Sequence, residues 1–288
     1  MEQRAGAVQV PVAKVLEMIA ATLYQERGRL NGLSSFGGDA RHGDRMARAF
    51  GDAADAVVAA GIGDAGKELQ LAGQILADPA YGRASRYFGQ GLFQAAPPFL
   101  GQAGLSLADL GPLLTGLLEG VRTDNPAQPG MGTMIDVLIP ATMAYTGAVE
   151  QGLTYNQAIQ GLLGAAMSGA RGTANMPQPY TRTQGGGTGS AGQIDVGAAF
   201  AQTVLTGLVK ALLGDKVPPT PAGQNSDNFL LNLIQQGIDL GNIVAAPRQS
   251  EVESLLGATG HAGRYARPLT DTDPGYGKGP AMVGETKR

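Results

Sequence analysis

Apolar residues return at helical spacing in one segment of this chain after another. Val12, Val15, Leu16, Ile19, Ala20 and Leu23 show the pattern, with steps of three and four that place all six on one face of a helix. No stretch of useful length alternates polar and apolar as a half-buried strand does. Gly and Pro interrupt the repeats at short intervals. The spacing predicts helices over 11–27, 42–60, 65–77, 84–94, 107–121, 133–151, 154–172 and 196–213. Gly28 is the expected stop of the first, Ser106 with Asp109 the cap of the fifth, and Pro140 an interior kink of the sixth. About eight helices with short connections make an all-α fold. Residues 215–225 read as a Pro-rich linker. An extension over 226–288 follows, with a further amphipathic helix at 227–244, a short one at 251–256 and a polar tail.

Composition narrows the classes. Of 288 residues 43% are hydrophobic and only 5% aromatic, and there are 45 glycines, far above the usual share of about 7%. Small residues on this scale imply closely packed helices. A net charge of −3 argues against a nucleic-acid binder. The absence of cysteine removes disulfides, thiolate metal sites and thiol nucleophiles. His42 and His261 are the sole histidines, too few for a multi-histidine metal centre. No window of about 18 uninterrupted apolar residues marks a membrane span. The start of the chain does not read as a signal peptide, so the expectation is a cytoplasmic protein.

Chemistry concentrates in residues 30–50, LNGLSSFGGDARHGDRMARAF. A Gly-Gly-Asp turn leads to His42-Gly43, and Arg41, Arg45 and Arg48 follow at one-face helical spacing. Further on stand PGMGTMIDVLIPA at 129–141, GARGTANM at 169–176 and GQIDVGA at 192–198. In that order these segments resemble the nucleotide-binding L subunit of dihydroxyacetone kinase, the DhaL family. Its first motif has the form LNxLDxxxGDGDHGxNM, and the resemblance spans about residues 5–214. It implies a barrel of eight antiparallel helices with the nucleotide at one end. It implies ATP or ADP as cofactor, with two magnesium ions held by three aspartates of the first motif, because hard cations need clustered carboxylate oxygens. It also implies a separate partner that holds the hydroxy-ketone substrate. The cofactor-binding positions carried over are Asp39, His42, Ser85, Thr133, Met134, Arg182 and Asp195, with Asp39 as the retained metal ligand.

The departures from that pattern fall on the charged positions. Ser34 stands at the first aspartate and Arg41 at the third, and an arginine there repels a divalent cation. Gly82-Arg83-Ala84-Ser85-Arg86 stands where the family has a glycine-rich loop. Met131-Gly132 replaces an Asp-Lys pair. No residue is therefore assigned a catalytic role. The reading favoured is a protein that has lost magnesium–ATP phosphoryl transfer and serves as a structural, self-assembling or binding subunit. The alternative is a working phosphotransferase subunit of the dihydroxyacetone kinase type.

Several features read two ways. The arginines, with His42, Arg83, Arg86 and Arg182, either form a basic mouth that takes an anion without metal or a solvated, ion-paired face. Asp195 either belongs to the site or caps a helix. The run 185–190 reads as a flexible loop more than a phosphate cradle. The helix at 227–244 either packs on its own barrel or docks to a second copy or another protein.

Overall fold

Each apolar repeat between residues 11 and 213 becomes one helix in the computed structural model, which describes residues 9–35, 41–123, 125–178, 192–214 and 226–236. In chain order these are α1 (Val12–Ser35), α2 (His42–Ala60), α3 (Ala65–Leu76), α4 (Arg83–Ala95), α5 (Leu110–Thr123), α6 (Ile135–Glu150), α7 (Tyr155–Gly172), α8 (Val196–Leu213) and α9 (Ser226–Gln235). Among the described residues there is no strand, only an isolated antiparallel bridge between Val10 and Leu105.

Each helix from α1 to α8 packs on its successor, and α8 packs back on α1. The eight thus close into an antiparallel ring. The α1–α8 seam shows the direction: Gly207 lies against Ile19, while Arg29 reaches Thr203 at 3.2 Å. Even-numbered helices all begin at one end of the ring. Its interior is filled by one continuous apolar core. Phe50, Phe88 and Phe200, one each from α2, α4 and α8, meet edge to face with centroids 4.9–6.4 Å apart. Such edge contacts add about 0.5–1.5 kcal/mol each to the area they bury.

Glycine sets the helix spacing. Gly73 and Gly89 pack backbone to backbone across α3 and α4, and Gly116 and Gly120 let α5 lie directly on α4. The bare Cα of Gly169 in α7 packs on the Asp136 carbonyl of α6. That carbonyl would bond the amide of residue 140, which is Pro140 and has none. The close approach covers a group that the proline leaves without its helical donor, and α6 continues through Pro140.

Two expectations change. α1 does not stop at Gly28 but runs to Ser35. Leu30 is fully buried, and Gly43 packs on the Arg27 backbone, so tertiary packing outweighs the local weakness of glycine. At the fifth helix the Ser106–Asp109 capping box forms, but on a 3-10 turn (Leu107–Asp109) that precedes α5. The helix expected at 227–244 is described over Ser226–Gln235. It packs on α7 and α8 with Leu230 and Ile234 fully buried, so this part of the extension covers its own barrel. The linker at 215–225 and everything from 237 on, including 251–256, lie outside the described residues. α8 is long and apolar enough to cross a membrane by length and composition alone. Burial of 89% of that window inside the ring accounts for its hydropathy.

Candidate functional site

Four helices begin at one end of the ring, and their first residues surround a cavity of about 340 Å³, at the small end of ligand pockets. His42 comes from the start of α2, Gly82 and Arg83 from α4, Thr133 and Met134 from the approach to α6, and Asp195 and Val196 from α8. Leu33 and Ser34 at the end of α1, Arg45, Tyr81, Tyr87 and Asn125 also line it, and Ala84, Pro126 and Gly197 complete the walls.

Most of these helix starts are tied down by side chains. Asn31 of α1 accepts from Gly43 N at 2.8 Å and donates to Asp44 at 2.8 Å, which holds the 42–44 turn against α1. Asp136 accepts from the backbone N–H groups of Gly130 and Thr133 and so shapes the loop before α6. Asp195 caps α8 by accepting from Ala198 N at 2.8 Å, and its own N–H donates to Thr173 Oγ1 at 2.9 Å. α4 differs. Gly82 enters it at φ 88°, a conformation that favours glycine, and no side chain caps the helix. Its first turn holds Arg83 and Arg86 and no acidic residue.

The site residues read from the sequence divide as follows. The structure brings His42, Thr133, Met134 and Asp195 together around the cavity. His42 also meets Phe200 edge to face at 5.9 Å, so it joins the cavity to the aromatic core. Ser85 is not among the lining residues; it is fully buried and its hydroxyl donates to the Leu76 carbonyl at 2.7 Å, which locks α4 to α3. Asp39 and Arg182, like the run 185–190, lie outside the described residues. The arginine face splits. Arg45 and Arg83 line the cavity, Arg48 pairs with Asp52 at 3.3 Å on the surface, and Arg41 and Arg86 are exposed and stand outside the lining.

Sequence reasoning missed Tyr81, Tyr87 and Asn125. Tyr81 sits in the single 3-10 turn (Pro79–Tyr81) before Gly82, and Tyr87 stands one helical turn beyond Arg83, a spacing that does signal a shared face. The Tyr81 hydroxyl donates to Asp52 at 2.5 Å. That bond, then burial and the carboxylate charge, push the phenol up to about 12, because losing the proton would break the bond and set two anions side by side.

Among the described residues, which do not include Asp39, the donor set does not suit two magnesium ions. Asp195 is the one carboxylate among the lining residues, and one of its oxygens already accepts a backbone N–H. Ser34 is buried and its hydroxyl donates to the Asn31 carbonyl at 3.1 Å. No group of three or more His, Asp or Glu that could hold a metal occurs among the described residues.

A DAK2 domain is matched over residues 37–210. The chain is 29% identical over 182 residues to the PEP-dependent dihydroxyacetone kinase, ADP-binding subunit DhaL, of Escherichia coli (strain K12), which covers 63% of this chain and 87% of that protein. The crystal structure of the dihydroxyacetone kinase of C. freundii (native form) aligns at TM-score 0.49 and 20% identity, over 73% of this chain and 37% of that one. With more than half its length matched to the domain, and the closed ring and end cavity in place, the chain belongs to the DAK2-domain, DhaL-like family.

Proposed function

We propose that this chain has lost magnesium–ATP phosphoryl transfer and acts as a binding or structural subunit of the DhaL type, in the cytoplasm and in contact with further copies or with another protein. The observation that carries the reading is the composition of the cavity wall: among the described lining residues Arg45 and Arg83 stand against the one carboxylate of Asp195. Phosphoryl transfer from a nucleotide rests on divalent ions that bridge the phosphates and neutralise developing charge. Two guanidinium groups disfavour such ions, and Asp195 alone among the described lining residues offers a carboxylate. Calorimetry with magnesium–ATP and magnesium–ADP tests the reading. The expected result is no magnesium-dependent binding and no transfer of phosphate to dihydroxyacetone. Tight binding that disappears with EDTA would overturn it.

A second reading keeps the nucleotide. The E. coli relative is an ADP-binding subunit, and likeness over 87% of its length speaks for the same ligand in this cavity. The same titration decides between the two. Partner contact is separately testable. Because the buried face of α9 is already taken by α7 and α8, self-association would use other surfaces, and light scattering should show a mass above one chain. A strictly monomeric species at high concentration would remove that part of the proposal.

A further inference from the structure

We infer that the rim of the ring away from the cavity, where α3 begins and α4 ends, docks a second copy of this chain in a two-fold contact centred on Phe93 and Leu100. This rests on the proposed contact with further copies and names the surface that makes it. Among the described residues six large apolar side chains stand exposed, and four of them, Val58, Ile62, Phe93 and Leu100, lie at this rim. Three of the four sit together. Leu100 Cδ2 lies 2.8 Å from where a β-carbon on Gly66 would stand, and Phe93 Cβ lies 3.4 Å from where one on Gly73 would. Those glycines are two turns apart on α3, a rise of about 10 Å, so Phe93 and Leu100 flank one side of that helix. Ile62 joins them through its loop: Asp64 accepts from Gly101 N at 3.0 Å, and Ala65 N donates to the Gln102 carbonyl at 2.7 Å. Pro97 and Pro98, both exposed, stand between Phe93 and Leu100 in the chain.

Charge says what covers this patch. Residues 69–77 and 87–108 contain no Asp, Glu, Lys or Arg, and the exposed polar side chains nearest Phe93 in the two helices are the neutral Gln74 and Gln94. An aromatic centre depleted of charge is the composition of interfaces between identical subunits. At its edge stand one cation and one anion, Lys67 and Asp64, 3.8 Å apart. Such a pair offers no excess of either sign to a partner of opposite charge. A two-fold axis, by contrast, turns the Lys67 of each copy toward the Asp64 of the other, so the patch is complementary to itself. Across the ring, α9 already lies on α7 and α8, which leaves the α3–α4 rim uncovered. The patch is also rigid. Gly73 and Gly89 pack backbone to backbone beneath it, so little freedom is lost when it is covered.

The test is sedimentation velocity of the full chain over a wide range of concentration. A dimer that dissociates on dilution is expected. Phe93→Glu and Leu100→Glu should each raise its dissociation constant about thirtyfold or more, as loss of a central contact does. Met143→Glu, at an exposed residue midway along α6, should leave it unchanged. Circular dichroism and melting of the dilute variants separate lost association from lost fold. A second measurement needs no rim substitution of that kind. The chain has no cysteine, so Gln94→Cys and Ser168→Cys each accept one spin label. The two labels of a dimer should lie closer together in the first, on α4, than in the second, on α7 across the ring. A dimer that keeps its affinity in both rim variants, or whose labels are closer at 168, overturns this surface and leaves self-association standing. A strict monomer overturns both, while the loss of magnesium–ATP chemistry is decided separately by calorimetry. A chain that is monomeric alone and uses Phe93 and Leu100 only to hold a different protein overturns the inference as well.

Discussion

At the scale of single residues, the end of the ring separates side chains that build from side chains that face the cavity. Asp195 does both, and substitution can apportion its work. Asp195→Ala should cost about 1 kcal/mol in chemical denaturation for the lost cap. Asp195→Asn should cost much less, since asparagine caps nearly as well. Equal losses in the two would mean that the charge matters more than the cap. Phe200 sits at the centre of the aromatic contacts, and Phe200→Ala should cost about 3–5 kcal/mol, read from the urea midpoint. Tyr81 gives a spectroscopic signature. Its folded-state value of about 12 lies above the ordinary phenol near 10, so folding favours the protonated form. The stabilisation is complete below about pH 10 and is lost as pH rises through about 12. In ultraviolet titration one tyrosine should ionise late, and Asp52→Asn should bring it back toward the others. The Asp195 cap was one of the two readings the sequence offered, but the Asp52–Tyr81 pair was not legible, because it joins α2 to a turn 29 residues away.

Helices were far more legible than their ends. Periodicity located α1 to α8 because each must bury one stripe, and a buried stripe leaves a 3.6-residue repeat whatever else changes. The end of α1 was misplaced because Gly28 is judged locally, whereas the helix is held by Leu30 in the core and by α2 lying on Arg27. The same contrast makes a paired test. Gly28 has open space where a β-carbon would go, so Gly28→Ala should be neutral or stabilise by up to about 1 kcal/mol. Gly120 meets the backbone of Gln90 and Gly91, so Gly120→Ala should lower the melting temperature by forcing α4 and α5 apart. At the start of α3, Asp64 is capped into place by Lys67 N and, across the turn, Gly101 N. These bonds hold its carboxyl below the usual range. A depressed carboxyl stabilises the fold above its unfolded value near 4 and loses that contribution as pH falls through the folded value. Asp64→Asn should therefore flatten the acid limb of the stability profile.

At the scale of the molecule, ring and cavity were foreseeable for different reasons. The all-α barrel followed from repeats and ordered motifs together. The cavity's position at one end followed from the family pattern, but its lining did not, because only the fold shows that Arg45 lines it and Arg83 stands exposed at its edge while Arg48 turns out to Asp52. A ring closed by α8 on α1 also has a consequence for how such a chain can be cut and rejoined. Antiparallel closure places the start of α1 and the end of α8 at the same rim, so the order of the eight helices is cyclic and where translation begins is arbitrary. Joining residue 214 to residue 11 by a short flexible linker and opening the chain between Gly61 and Gly63, an exposed turn, should give a permuted protein that still melts cooperatively. Such a protein would begin at α3 and end at α2, with the cavity lined by the same side chains.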